Sequence, residues 1–312
     1  MTRAHVIGKL NEHLGRADAV RFEIDEHDLT RAVLTHAGSE AHVYLHGAHV
    51  SHYQPAGHEP VLMMSERSAY GAGSALRGGV PVCFPWFSRR DETLHGPWRR
   101  SEPPTSHGLV RTRAWKVKAT DADEQHAMVS FIFRWSPRVY ELWPHRFEAL
   151  FIVRLGEHLS LSLTIKNIDD KPLTYEQALH SYYAVGDIKR TTLSGLAGCA
   201  YYDKVRQPAD CTQGDEPQRF TGPVDSVYQD THEPCVIHDA ALEREILITA
   251  SHASSTIVWN PWADGAKKMS DLADDDWQRM LCVETANVGP HAVTLEPEAS
   301  HTMQSHIQVR HR

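Results

Sequence analysis

Apolar and polar residues alternate with a period of two along much of this chain, whereas helical periodicity is scarce. β-Rich segments fall at 41–53, 127–135, 149–155, 159–167, 246–250, 256–259, 279–284 and 301–309. Successive side chains of a strand point to opposite faces, so this pattern predicts sheets with one covered and one wetter face. The runs 147–155 and 159–167 are separated by Gly156-Glu157-His158, which predicts an antiparallel hairpin closed by about three residues. Regular strand–helix alternation does not occur, which removes most βαβ architectures. What remains is an all-β fold, a large antiparallel β-sandwich with short helices near 66–70 and 271–276. The stretches 89–106, rich in Pro and Arg, and 204–221, rich in Pro, Asp and Gln, are expected to be long loops, either lids or surface insertions.

A length of 312 residues is within the range of one large sandwich. The chain is therefore read as one domain over 1–312, with about the first 20 residues a peripheral segment. Lys and Arg number 32 against 40 Asp and Glu, a formal charge of −8, and no block of like charge resembles a nucleic-acid-binding arm. Nucleic acid is not an expected partner. No stretch approaches the ~18 apolar residues of a membrane span, and the first thirty residues hold no uninterrupted apolar signal core. Five cysteines, an odd number without any CxxC, fit reduced thiols and a cytoplasmic location. The 22 histidines raise the question of a metal, most of all at His46, His49 and His52. An alternating strand there would put His46 and His52 on one face and His49 on the other, so no metal site is expected. Gly71-Ala72-Gly73 opens a dinucleotide fingerprint, but Leu76 stands where its third glycine belongs.

Candidate chemistry is concentrated in a few segments. The run 77–87, RGGVPVCFPWF, sets one cation beside paired glycines and a rigid aromatic wall. Glycine lets backbone approach a ligand, proline fixes the path, and flat aromatic faces stack on sugar rings, so the run suits a small anionic or polyhydroxylated ligand. Further polar groups are set into apolar or aromatic strings in SHGLVR (106–111), ALHSYY (178–183), VDSVY (224–228) and LCVE (281–284). Taken singly, His180 reads as a hydrogen-bonded core histidine. Glu284 reads as the close of an apolar strand, either at its solvent edge or in a pocket that raises its pKa. Trp86, Trp259 and Trp262 could stack on a sugar or simply fill the core.

Together with VWNPW (258–262), these segments in this order resemble the aldose 1-epimerase, or mutarotase, superfamily, and within it the branch acting on hexose 6-phosphates. The resemblance runs from about His46 to the last strand. It implies a galactose-mutarotase-like supersandwich needing neither metal nor organic cofactor, and interconversion of α and β anomers of a small sugar phosphate. By the resemblance, His180 is the general acid toward the ring oxygen and Glu284 the general base toward the anomeric hydroxyl. His107 is the second histidine near the ring oxygen, and Asp225 the aspartate that orients sugar hydroxyls. Arg77 and Arg111 fall at positive positions near the phosphate or the sugar oxygens. Ser88 replaces the family's usual glycine after FPWF, HGLVR replaces HGFAR, and Thr285-Ala286 replaces Pro-Gly after the glutamate; no ionisable group is lost. Two other readings stay open, an epimerase for unphosphorylated aldoses and a noncatalytic carbohydrate-binding protein, since fold alone does not fix function. The sequence leaves the oligomeric state open, with a monomer plausible.

Overall fold

Strict alternation in the sequence becomes strict alternation of burial. In a computed structural model, which describes residues 3–71, 73–91, 105–206 and 211–311, the strands Phe147–Leu155 and Leu159–Asn167 bury every second residue. They pair antiparallel from Phe147 opposite Asn167 to Leu155 opposite Leu159, closed by the three residues read as a hairpin. These two strands belong to a nine-stranded antiparallel sheet that also holds Ala127–Arg134, Arg244–Ser251 and the long C-terminal Ser300–His311. An eight-stranded sheet carries Val82–Cys83, Gln177–Leu179, Tyr182–Ala184, Val224–Gln229, Ser255–Asn260 and Met280–Asn287. A four-stranded meander spans Val20–Ile24 to His49–Gln54, and a short pair joins Leu173–Tyr175 to Val293–Leu295. One cluster of buried apolar side chains reaches from Val20 to Ile307, in which Phe84, Phe147 and Tyr175 meet edge to face. The fold is the expected all-β antiparallel sandwich.

Several local expectations need correction. The segment 41–53 is not one strand but two, Ser39–Tyr44 and His49–Gln54, folded back at Gly47 and Ala48, which have φ of 73° and 48°. His46 therefore lies in the turn and bonds Ser74 O at 2.6 Å, His49 is buried, and the His52 ring packs 4.7 Å from that of His42. Among the described residues, no three His, Cys, Asp or Glu side chains converge as a metal site would need. The span 66–70 is irregular, and helix near 271–276 is displaced to a short α-helix at Trp262–Ala266 and a 3-10 turn at Asp276–Arg279. Two helices were not anticipated. Pro137–Leu142 is started by Ser136, whose Oγ accepts from Val139 N, with Pro137 in the first turn. Arg3–Leu14 packs on the meander, where the Asn11 side chain exchanges two hydrogen bonds with the Phe22 backbone at 2.7 and 2.8 Å. The loop expectation at 89–106 falls largely outside the described residues. Within 204–221 the described part contains the two-residue strands Cys211–Thr212 and Gln218–Arg219.

Candidate active site

Strand register creates the central pair. Gln177–Leu179 and Tyr182–Ala184 both pair with Met280–Asn287, Leu179 lying opposite Thr285 and Tyr182 opposite Cys282. Hydrogen bonding is interrupted between them, and the intervening rung sets His180 against Glu284. Their side chains meet with His180 Nε2 3.3 Å from Glu284 Oε1. Glu284 is not at a strand end, as its sequence context suggested. It is the fifth of eight residues, 1% exposed, with Ile257 of the next strand opposite it on the other side.

Around this pair lies a cavity of about 240 Å³ that all six residues singled out from the sequence line: Arg77, His107, Arg111, His180, Asp225 and Glu284. The eight-stranded sheet supplies His180, Glu284, Asp225, Ile257 and Trp259. Loops and the 3-10 turn Val110–Thr112 supply the rest. The SHGLVR loop is drawn against the aromatic wall where Leu109 N donates to Phe84 O at 2.8 Å. Only glycine fits at 108, since its φ is 83° and a Cβ would lie 2.0 Å from Phe84 O. His107 N donates to Ser88 O at 2.7 Å and Ser88 N donates to His107 Nδ1 at 3.3 Å, which leaves Nε2 to carry the ring proton. The His107 ring stands 5.3 Å from that of His180 and 4.8 Å from that of Phe87, edge to face in both cases.

The cations are engaged to different degrees. Arg77 bonds the Tyr182 hydroxyl at 2.8 Å with one terminal nitrogen and Asp271 at 2.9 Å with the other. The Tyr182 ring is stacked 4.9 Å from His180 at 11°, so Arg77 reaches the imidazole through it. Arg111 donates to Ser106 O at 2.9 Å. Lys204 has no counterpart among the residues singled out from the sequence. Its Nζ is 3.6 Å from Asp225 Oδ1 and 5.3 Å above the Phe87 ring, and its N–H bonds Asp225 O. It opens a stretch whose composition reads only as loop, so nothing local marks it. Met269 and Ser88 line the cavity as well. Of the three tryptophans, Trp259 lines it, Trp86 is core and Trp262 packs on Trp277 at 4.4 Å.

Burial pushes Glu284 well above the ordinary carboxylate range, with Lys204 pulling the other way. The same cause, reinforced by His107, Arg111 and Arg77, holds His180 well below the ordinary imidazole value. His107 is lowered likewise by burial and by Arg111. Burial also raises Asp225, against the pull of Lys204. Among the described residues, His180 Nδ1, Glu284 Oε2, Arg77 Nε and Arg111 Nε are buried without a hydrogen-bond partner. All four belong to residues that line the cavity, where a polar ligand can complete such atoms.

An antiparallel sandwich whose polar cavity closes on an imidazole–carboxylate pair is an architecture of the mutarotase class of enzymes. The chain belongs to the aldose 1-epimerase family, whose model matches residues 30–308. A Salmonella typhimurium protein provisionally named glucose-6-phosphate 1-epimerase is 35% identical over 85% of this chain and 85% of its own length. An Escherichia coli K12 protein of the same provisional name is 33% identical over 91% and 92%. The crystal structure of a Salmonella typhimurium protein described as a mutarotase, YeaD, superposes with a TM-score of 0.86 at 30% identity, covering 99% of this chain and all of that one.

Proposed function

We propose that this protein interconverts the α and β anomers of hexose 6-phosphates, with His180 and Glu284 as the proton-transfer pair. The single observation that carries the reading is that this pair, set tip to tip, faces a cavity that also holds Arg77, Arg111 and Lys204. The names carried by the relatives support the phosphosugar.

Anomer exchange needs a proton taken from O1 and another given to O5 as the C1–O5 bond breaks and C1=O1 forms. Both oxygens are borne by one carbon. Two side-chain tips 3.3 Å apart suit that spacing, so acid and base work side by side rather than from opposite sides of the anomeric centre. Burial of both groups favours neutral imidazole with protonated carboxyl. Transfer of that proton from Glu284 to His180 gives imidazolium and carboxylate, the reactive form, with no change in proton count. His180 then protonates O5 while Glu284 accepts from O1, rotation about C1–C2 turns the aldehyde, and reversal of both transfers closes the ring on the other face. His107 Nε2–H donates near the ring oxygen, and Asp225 holds sugar hydroxyls. Arg111 and Lys204 receive the phosphate through charge-assisted bonds, while Arg77, already bonded to Asp271 and Tyr182, contributes its charge and orders the Tyr182–His180 stack. We further read 1–312 as a single mutarotase-like unit.

The test follows α/β exchange of glucose 6-phosphate and glucose side by side by magnetisation-transfer NMR. Wild type should exchange the phosphosugar faster, and His180→Asn and Glu284→Gln should each fall by about 10²-fold or more. Equal exchange of both sugars would replace the phosphosugar by free aldoses as substrate, and exchange at the buffer rate would overturn the reading.

A further inference from the structure

We propose that Glu176 is a positioning residue for this reaction, a buried carboxylate that ties together the three segments bearing the pocket wall, the acid and the base; the catalytic part of this inference rests on the function proposed above. Glu176 is 9% exposed and lies outside the cavity. Its Oε2 accepts from Phe87 N at 2.9 Å and its Oε1 from Gly289 N at 2.8 Å, while its own N–H donates to Pro85 O at 3.0 Å.

Two of the bonds end on the wall segment, at Pro85 and Phe87, and the third ends just beyond the strand that carries the base. Phe87 is the wall whose ring abuts His107 and stands 6.5 Å from His180. Gly289 follows the strand Met280–Asn287, which carries Glu284. Glu176 itself directly precedes Gln177–Leu179, the strand that delivers His180. The Phe87 wall continues into Ser88, which exchanges two hydrogen bonds with His107. Ser88 and His107 both hold left-handed backbone, φ 55° and 59°, a conformation that costs non-glycine residues energy and persists only where neighbours enforce it. The grip on Phe87 N is one such enforcement, one residue from Ser88.

A carboxylate suits this place because two N–H donors need two acceptor oxygens. Glutamine offers one, and its NH₂ would face an N–H. Burial raises Glu176 above the ordinary carboxylate value, and the two backbone bonds oppose that shift by favouring the ionised form.

The experiment combines kinetics with NMR on the full chain. Glu176→Gln should stay folded, lose about 10- to 100-fold in kcat for glucose 6-phosphate with KM little changed, and shift the His107 ring resonances, since a wall displaced by about an ångström misaligns the pair. A folded variant with wild-type kcat and unmoved His107 signals would overturn the proposal, as would an activity loss that only tracks the unfolded fraction. Should the variant not fold, wild-type amide exchange decides: Phe87 and Gly289 N–H are expected to be protected like strand amides despite lying outside strands, and rapid exchange at either would overturn it. A wild type inactive on both sugars would remove the proposed function, while the His107 and exchange readouts would still judge the clamp.

Discussion

At the scale of single residues, the proposed chemistry turns on one proton held between two buried groups. His180 is lowered and Glu284 raised, so the pair gains a second proton only below the imidazole value of 6.5 and gives up its last only above the carboxyl value of 4.5. Activity against pH should be bell-shaped, its acid limb set by gain of the second proton and its alkaline limb by loss of the last. Lys204 is the first of the charges acting on Glu284 and favours its ionised form. Lys204→Met should therefore let the pair keep its proton to higher pH, moving the alkaline limb upward in kcat/KM profiles; an unmoved or lowered limb would refute this. The residues to which the proposal gives these roles were legible to unequal degrees. His107, His180, Asp225 and Glu284 stand in short strings whose order carries the family resemblance. Lys204 and Glu176 do not, because one is a cation in a loop and the other acts on backbone N–H groups far away in the chain, which no side-chain pattern encodes.

Among the elements, the hairpin at Gly156 was readable because both strands alternate cleanly and nothing apolar crosses the gap. The run 41–53 misled for the opposite reason. Leu45-His46-Gly47-Ala48 continues the apolar character of its flanks, so alternation runs through a turn that only two positive φ values reveal. That turn reaches the active site. Gly47 N donates to Arg113 O at 2.7 Å, and a Cβ on Gly47 would lie 2.6 Å from Arg111 O. Gly47→Ala combines a left-handed alanine with a push on the backbone of a cavity-lining arginine. It should cost about 2 kcal/mol or more in thermal or chemical unfolding and raise KM for the phosphosugar. A variant with wild-type stability and KM would show that the turn yields freely. The rung joining His180 to Glu284 was likewise invisible in sequence. A one-residue slip of either strand would turn its side chain to the far face, so the proposed chemistry depends on this register.

For the whole molecule, the apolar core around Phe147 and the costly buried ionisable pair lie in different sheets. Phe84 and Phe147 close one part of the core with apolar contacts, whereas at the cavity Glu284 and His180 are buried without full hydrogen bonding. Stability and activity should therefore part company at Glu284. Its folded pKa is raised, so the unfolded chain releases the proton just above 4.5 while the folded chain holds it to higher pH. Wild-type stability is accordingly eroded as pH rises from 4.5 toward the folded value, and the erosion stops beyond it. Glu284→Gln has no proton to lose there. It should cut epimerisation by about 10²-fold or more yet melt higher than wild type at neutral pH, with the gain shrinking toward zero as both proteins are brought below pH 4.5. Thermal melts of the two proteins across that range measure the difference directly. An advantage independent of pH would mean that packing, not charge burial, sets it, and a less stable variant at neutral pH would show that the ionised carboxylate is better accommodated than its surroundings indicate.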